Sequence, residues 1–288
     1  MSSNAITLRG VPRVLSIAGT DPTGGAGIQA DLKSIAAMGG YGMAVVTSLV
    51  AQNTCGVRSM HTPPTSFLIE QLDAVSDDVA VDAVKIGMLG DAPTIAVVRD
   101  WLCRVRPPLV VLDPVMVATS GDRLLATEAE IMLRELVGCA DLVTPNLLEL
   151  AVLVDEPVAA DWPAALEQGQ KLSAARGTTV LVKGGHLSGE SSPDALVTYA
   201  GPSGAGGSMV EFASPRVRTR NTHGTGCSLS SAVATAMAQT GNWADAVSKA
   251  KDWLQDAILH ADALQVGQGN GPINHFHQLW AAAKSTTH

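Results

Sequence analysis

The chain has 288 residues, of which 46% are hydrophobic, 16% charged and 3% aromatic, and its formal net charge is −8. Such an acidic, apolar-rich chain is excluded from global disorder and is a poor partner for nucleic acid. No apolar run reaches the roughly 18 residues of a membrane-spanning helix, Met1–Ala5 lacks the features of a secretory signal, and Cys55, Cys103, Cys139 and Cys227 form no C-x-x-C pair, so a cytoplasmic protein with reduced thiols and no membrane partner is expected.

In chain order, short apolar runs fall at Val14–Ile17, Ala44–Thr47, Ala83–Ile86, Leu109–Leu112, Leu142–Thr144 and Val180–Val182. They are near-continuously apolar, as strands of a parallel sheet covered on both faces must be. Leu124–Leu136 and Trp162–Arg176 carry helical spacing between them. Alternating strands and helices predict an α/β fold with a doubly wound, mostly parallel central sheet. After Lys183 the pattern changes: Ala195–Tyr199 and Met209–Phe212, joined by the glycine-rich stretch Gly201–Gly207, predict an antiparallel excursion. A long amphipathic helix follows over Trp243–Ala261, then a glycine-rich loop at Gly267–Pro272 and a short final helix. No linker or repeat divides the chain, so residues 1–288 read as one domain with flexible termini at 1–12 and 281–288.

Ligands of open parallel sheets bind at the carboxyl ends of the strands, and the distinctive residues of this chain crowd there. The first strand is followed by Gly19-Thr20-Asp21-Pro22-Thr23-Gly24-Gly25-Ala26-Gly27, which fits neither dinucleotide nor Walker fingerprints and is followed by a helix carrying Asp31. A tight turn and a substrate loop both remain open for it. Gln52-Asn53-Thr54 follows the second strand, where an amide suits a heteroaromatic edge. Asp113-Pro114 ends the fourth strand. Asn146 and Glu149 follow the fifth with the spacing of a capping box, and with Asp113 they would also suit a water-bridged Mg²⁺. Lys183, beside Gly184 and Gly185, is placed to face a polyphosphate.

The sharpest segment is Thr222-His223-Gly224-Thr225-Gly226-Cys227, where flexible backbone runs into a helix start. Converging amides and the positive helix end would form an anion hole for a transferring phosphoryl group. A cysteine at that position is expected to have a depressed pKa. His61, His186, His260, His275 and His277 form no H-E-x-x-H motif and read as solvated or capping histidines.

Taken together, Ala18–Pro22, Gly24–Lys33, Ala51–Thr54, Lys85–Met88, Thr144–Asn146 and Thr222–Cys227 resemble the hydroxymethylpyrimidine/phosphomethylpyrimidine kinases of thiamine biosynthesis, members of the ribokinase-like family, over Val14 to Phe276. The resemblance implies a ribokinase-like fold, a homodimer, and ATP- and Mg²⁺-dependent phosphorylation of 4-amino-5-hydroxymethyl-2-methylpyrimidine and then of its monophosphate. It implies that Gln52 and Asp31 hold the pyrimidine, with Gly19, Val50 and Met88 lining its pocket. Cys227 would accept or steer the hydroxyl proton, while the amides of Gly224, Thr225, Gly226 and Cys227 hold the γ-phosphoryl group. Asp113, Asn146 and Glu149 would order Mg²⁺ and its waters, with Lys183, Thr222 and His223 near the phosphates. Gln268 departs from the lysine of relatives. Competing readings are a pyridoxal kinase, a cysteine hydrolase using His223 as base, and a ligand sensor without turnover.

Overall fold

The computed structural model describes residues 8–118, 120–122, 124–185, 187–199 and 207–280. In chain order the strands are β1 (Arg13–Ala18), β2 (Tyr41–Val46), β3 (Leu49–Asn53), β4 (Gly56–His61), β5 (Ala83–Ile86), β6 (Val110–Leu112), β7 (Leu142–Val143), β8 (Thr179–Lys183), β9 (Ser191–Val197) and β10 (Met209–Pro215). The helices are α1 (Gly27–Ala37), α2 (Thr65–Ser76), α3 (Ala92–Val105), α4 (Glu130–Val137), α5 (Leu147–Val154), α6 (Trp162–Arg176), α7 (Thr225–Thr240) and α8 (Trp243–Leu259). Eight strands form one sheet in the order β10-β9-β8-β7-β6-β5-β1-β2, parallel from β2 to β8 and antiparallel at β9 and β10.

The apolar strands are explained by two cores, one on each face of the sheet. Successive strand residues point to opposite faces. Leu15, Ile17, Val84, Ile86, Val110 and Leu112 pack with buried residues of α2 to α6. Val14, Ala83, Leu109, Val111 and Leu181 pack with α1, α7 and α8. Alanine and serine make most of α7 thin enough to lie close against the sheet, and Ser228 to Ala238 are all buried. Local signals set the helix starts: Asp91 and Asp161 cap α3 and α6, each with a proline in the first turn.

Three expectations change. Gln52 does not follow the second strand as loop: it lies in β3, which pairs antiparallel with β4 as a separate two-stranded sheet. The mixed burial of Leu49–Asn53 hid this hairpin from a periodicity reading. Leu124–Leu136 is helical only from Glu130, after a 3-10 turn at Thr127–Ala129, because Leu124 and Leu125 bond back to the Met116 carbonyl. The antiparallel excursion is present, with β9 starting at Ser191; its connection at Gly201–Gly207 lies, apart from Gly207, outside the described residues, as do His186 and, of the termini 1–12 and 281–288 expected to be flexible, residues 1–7 and 281–288. Among the described residues no helix is long and apolar enough to cross a membrane.

The strand order reverses at β1, whose neighbours are β2 and β5. At such a switch point successive loops leave the sheet in opposite directions and open a crevice beyond the strand ends.

Candidate active site

A cleft of about 670 Å³ opens at these carboxyl ends. Every residue nominated from the sequence lines it except Asp31. Val50, Met88 and Leu124 pack into a small apolar cluster with Val115 partly buried against it, and Gln52 lies beside it in the cleft. Gly19 faces Met88 so closely that a Cβ there would come within 2.3 Å of its Cε.

The anion-hole turn is built by backbone contact. Gly224 caps α7 with φ 77°, and a Cβ on it would lie 1.8 Å from the Gly25 carbonyl oxygen, so only glycine closes the turn. The helix then begins at Thr225, whose amide donates to the Thr222 carbonyl at 3.3 Å, and its first residues Thr225, Gly226 and Cys227 line the cleft at the positive helix end. A methyl group on Gly226 would sit 3.4 Å from Lys183 Nζ and 3.5 Å from Asp113 Oδ2. Lys183 therefore stands beside the helix start, where it donates to Asp113 Oδ1 at 3.0 Å; Thr144 Oγ1 donates to the same oxygen at 3.1 Å.

Asn146 and Glu149 form the reciprocal capping box of α5, with both bonds at 2.9 Å, and both still line the cleft. Burial, opposed by Lys183 and reinforced by Asp113, pushes Glu149 up to about 7. Burial pushes Asp113 upward too, but Lys183 and Lys85 outweigh it and hold the carboxyl below its usual range. Two carboxylates in one enclosed site, one of them protonating near neutrality, fit a divalent cation that takes its remaining ligands from water and phosphate. Among the described residues no group of three or more His, Cys, Asp or Glu side chains forms a closed protein cage.

Two expectations about charge are corrected here. Asp31 does not reach the cleft. It is fully buried, bound by Lys85 at 2.8 and 2.9 Å, by Ser16 Oγ at 2.6 Å and by Ser231 Oγ at 2.8 Å, and has no surface left for a ligand. Cys227 is open in part to the cleft, yet its thiol is not depressed. Burial, with Asp31 and Asp113 nearby, pushes it up to about 11 against the pull of Lys85 and the Gly27 amide. The helix end is outweighed because desolvation penalises the thiolate more than a partial charge stabilises it.

Sequence reasoning passed over Lys85 as a binding or organising residue, although a lysine inside the apolar run Ala83–Ile86 was the signal; it is fully buried in β5. It also passed over Asp21. That carboxylate accepts from the amides of Thr23, Gly25 and Ala26, from the Thr23 hydroxyl, and pairs with His223 Nε2 at 2.8 Å. Burial opposes its charge, but His223 and Thr23 lower it to about 2. His223 thus ties the loop after β1 to the anion-hole turn. Farther along the cleft, Lys251 pairs with Asp194, which also accepts from the Gly184 amide at 3.1 Å and so steadies the end of β8.

Residues 21–274 match the family model described as phosphomethylpyrimidine kinase. A hydroxymethylpyrimidine/phosphomethylpyrimidine kinase of Escherichia coli is 49% identical over 92% of this chain and 98% of its own length. A thiamine biosynthesis multifunctional protein ThiED of Corynebacterium efficiens is 55% identical over 96% of the chain, which spans only 37% of that relative. Among solved structures, the ADP complex of Bacillus subtilis pyridoxal kinase superposes with a TM-score of 0.82 at 32% identity, covering 93% of this chain and 99% of the other.

Proposed function

The chain belongs to the phosphomethylpyrimidine kinase family, and from that premise we propose that it moves the γ-phosphoryl group of ATP to hydroxymethylpyrimidine, and then a second one to the monophosphate, within thiamine biosynthesis. The observation that carries this reading is the convergence of the α7 start, the Lys183–Asp113 pair and Cys227 on a cleft that also holds Gln52 and an apolar wall. Neither a hydrolase nor a sensor needs all five.

In each transfer a bond forms between the γ-phosphorus and an acceptor oxygen, the substrate hydroxyl in the first and a phosphate oxygen of the monophosphate in the second, the bond to the β,γ-bridging oxygen breaks, and ADP leaves. The transition state is loose, so positioning and charge neutralisation dominate. The amides at the start of α7 and the Lys183 ammonium face the charge that develops on the phosphoryl oxygens. Gln52 both donates to and accepts from the ring edge, while Val50 and Met88 take its flat face. Cys227 orients the hydroxyl as a neutral thiol, and the hydroxyl proton passes late in the transfer to an oxygen of the transferred phosphoryl group and from there to solvent. Asp113 and Glu149, with Asn146, would hold Mg²⁺, which when bound neutralises phosphate charge.

A coupled ADP-release assay with hydroxymethylpyrimidine, its monophosphate and pyridoxine tests the proposal. Turnover of both pyrimidines with slower pyridoxine is the expected result. A preference for pyridoxine supports the second reading, a B6-vitamer kinase, which the likeness to the Bacillus subtilis enzyme favours. No turnover on any of them would overturn both.

We further propose one domain acting in the cytoplasm as a homodimer. Leu49 and Met60 leave large apolar side chains exposed on the β3–β4 hairpin, which supports pairing through it. Light scattering across a concentration series would show a dimer mass; a constant monomer mass would refute it.

A further inference from the structure

Residues 267–271 read Gly-Gln-Gly-Asn-Gly, and nothing in the transfer described above uses them. Their placement is unusually tight. A Cβ would lie 2.2 Å from Thr54 Oγ1 if added at Gly267, 2.1 Å from the Thr54 carbonyl oxygen at Gly269, and 2.2 Å from Asn221 Oδ1 at Gly271. Side chains are therefore barred at alternate positions, each time by one of the same two neighbours. The backbone spends its hydrogen bonds on them as well. Gly269 N–H donates to Thr54 Oγ1 at 3.1 Å and Asn270 N–H to the Thr54 carbonyl at 2.9 Å. Gly271 N–H donates to Asn221 Oδ1 at 3.1 Å, and the Gly271 carbonyl accepts from His223 N–H at 3.0 Å.

The two neighbours belong to opposite ends of the chemistry. Thr54 closes the β3–β4 hairpin two residues beyond Gln52, and Asn221 begins the turn that ends in Gly224–Cys227. The hairpin needs such an anchor: it stands apart from the central sheet, and its register shifts between Ala51 and Gln52. A lone two-stranded hairpin is only marginally stable in water. Among the described residues its other hydrogen bonds to the rest of the chain are single ones, from Val50 N–H to Thr20 Oγ1 at 3.0 Å and from Val57 N–H to Asp122 Oδ2 at 3.1 Å, beside the apolar packing of Val50 and Val57 on Met88 and Leu124.

We propose that residues 267–271 are a glycine strap that binds the Gln52 hairpin to the anion-hole turn, so that the ring-binding and phosphoryl-binding ends of the cleft are positioned as one unit. Thr54 is its positioning residue, and the assignment rests on the kinase reading for its catalytic consequence. The glycines are needed for closeness: the strap lies against Thr54 backbone at Gly269 and against the Thr54 and Asn221 side chains at Gly267 and Gly271, where a Cβ would hold the two ends apart.

The test compares wild type with Thr54→Val, Thr54→Ser and Gly269→Ala. Thr54→Val removes one acceptor without changing volume, and KM for hydroxymethylpyrimidine should rise by up to about tenfold with a smaller fall in kcat. Thr54→Ser should restore it, and Gly269→Ala should exceed it. Amide exchange on the ligand-free proteins supplies a second readout: Thr54→Val and Gly269→Ala should speed exchange at residues 50–57 and also at 222–227. Faster exchange confined to the neighbourhood of Thr54 and 267–270, or an unchanged KM in a fully active protein, overturns the strap. If wild type turns over neither pyrimidine the kinase reading fails, and the exchange pattern alone decides the coupling.

Discussion

Two aspartate–lysine pairs lie at the carboxyl side of the sheet, Asp31–Lys85 at 2.8 Å and Asp113–Lys183 at 3.0 Å. Both join residues distant in sequence, and both lysines lie on parallel strands of the central sheet, Lys85 on β5 and Lys183 on β8 with β6 and β7 between them. Asp31 and Lys85 have no exposed side-chain surface, whereas Lys183 keeps 14% of its own and, with Asp113, lines the cleft. In the first pair Ser16 and Ser231 take up the carboxylate's remaining capacity, joining β1, α1, β5 and α7. In the second, Thr144 donates to the oxygen that Lys183 already holds, and Asp113 Oδ2 stays beside Gly226. The chemistry is the same; solvent access separates a fastening from a working group. Burial alone would lower the Lys85 pKa, yet Asp31, Cys227 and Asp113 together raise it, so the ammonium persists at every pH the protein meets.

The comparison breaks most sharply under substitution. Lys85→Met leaves a buried carboxylate without its cation and should cost about 3–5 kcal/mol in urea unfolding. Adding Asp31→Leu should recover a large part of that loss, since a pair removed whole leaves no stranded charge. A Lys85→Met protein as stable as wild type would erase the distinction. Lys183→Met should act mainly on turnover, lowering kcat by about 10²–10³, and because it leaves the buried Asp113 without its cation it should also lower the unfolding midpoint, though less than Lys85→Met does at the fully sealed pair.

Cys227 sharpens the comparison further, because it feels the charge of buried Lys85 while lining the cleft. With the thiol near 11, kcat should stay flat between about pH 7 and 9. A slope of about tenfold per pH unit would instead make the thiolate a general base. Cys227→Ala should then lose less than the ~10²-fold that general bases contribute at the least.

The smallest effect concerns Glu149. Its raised pKa means that the folded chain keeps a proton which the unfolded chain releases between about pH 4.5 and 7. Its contribution to stability is therefore present below that window and lost as pH rises through it. Glu149→Gln removes the titration, so its melting temperature relative to wild type should be a few degrees higher at pH 8 than at pH 5. An offset that does not vary with pH would show that the carboxyl is ionised throughout.

Much of this was legible along the chain. The apolar runs marked all six parallel strands, because strands covered on both faces must be apolar at every position, and Trp162–Arg176 carried its own cap and stop signals. The cleft residues were legible because strand-end loops gather on one side of a parallel sheet whatever the packing details. The β3–β4 hairpin was not, since half of it faces solvent and its anchor is a loop more than 200 residues away, from Thr54 to Gly269.

What the sequence determined by itself was therefore the architecture and the membership of the site, both consequences of local periodicity and of the direction in which strands run. Only the tertiary structure decided the electrostatics. Asp31 is read from the chain as a ligand and Cys227 as a thiolate, but which carboxylate is sealed and which thiol is desolvated depends on residues brought together from β1, α1, β5 and α7. Charge is set by the sum of distant neighbours and by the loss of water, and neither is a property of a segment.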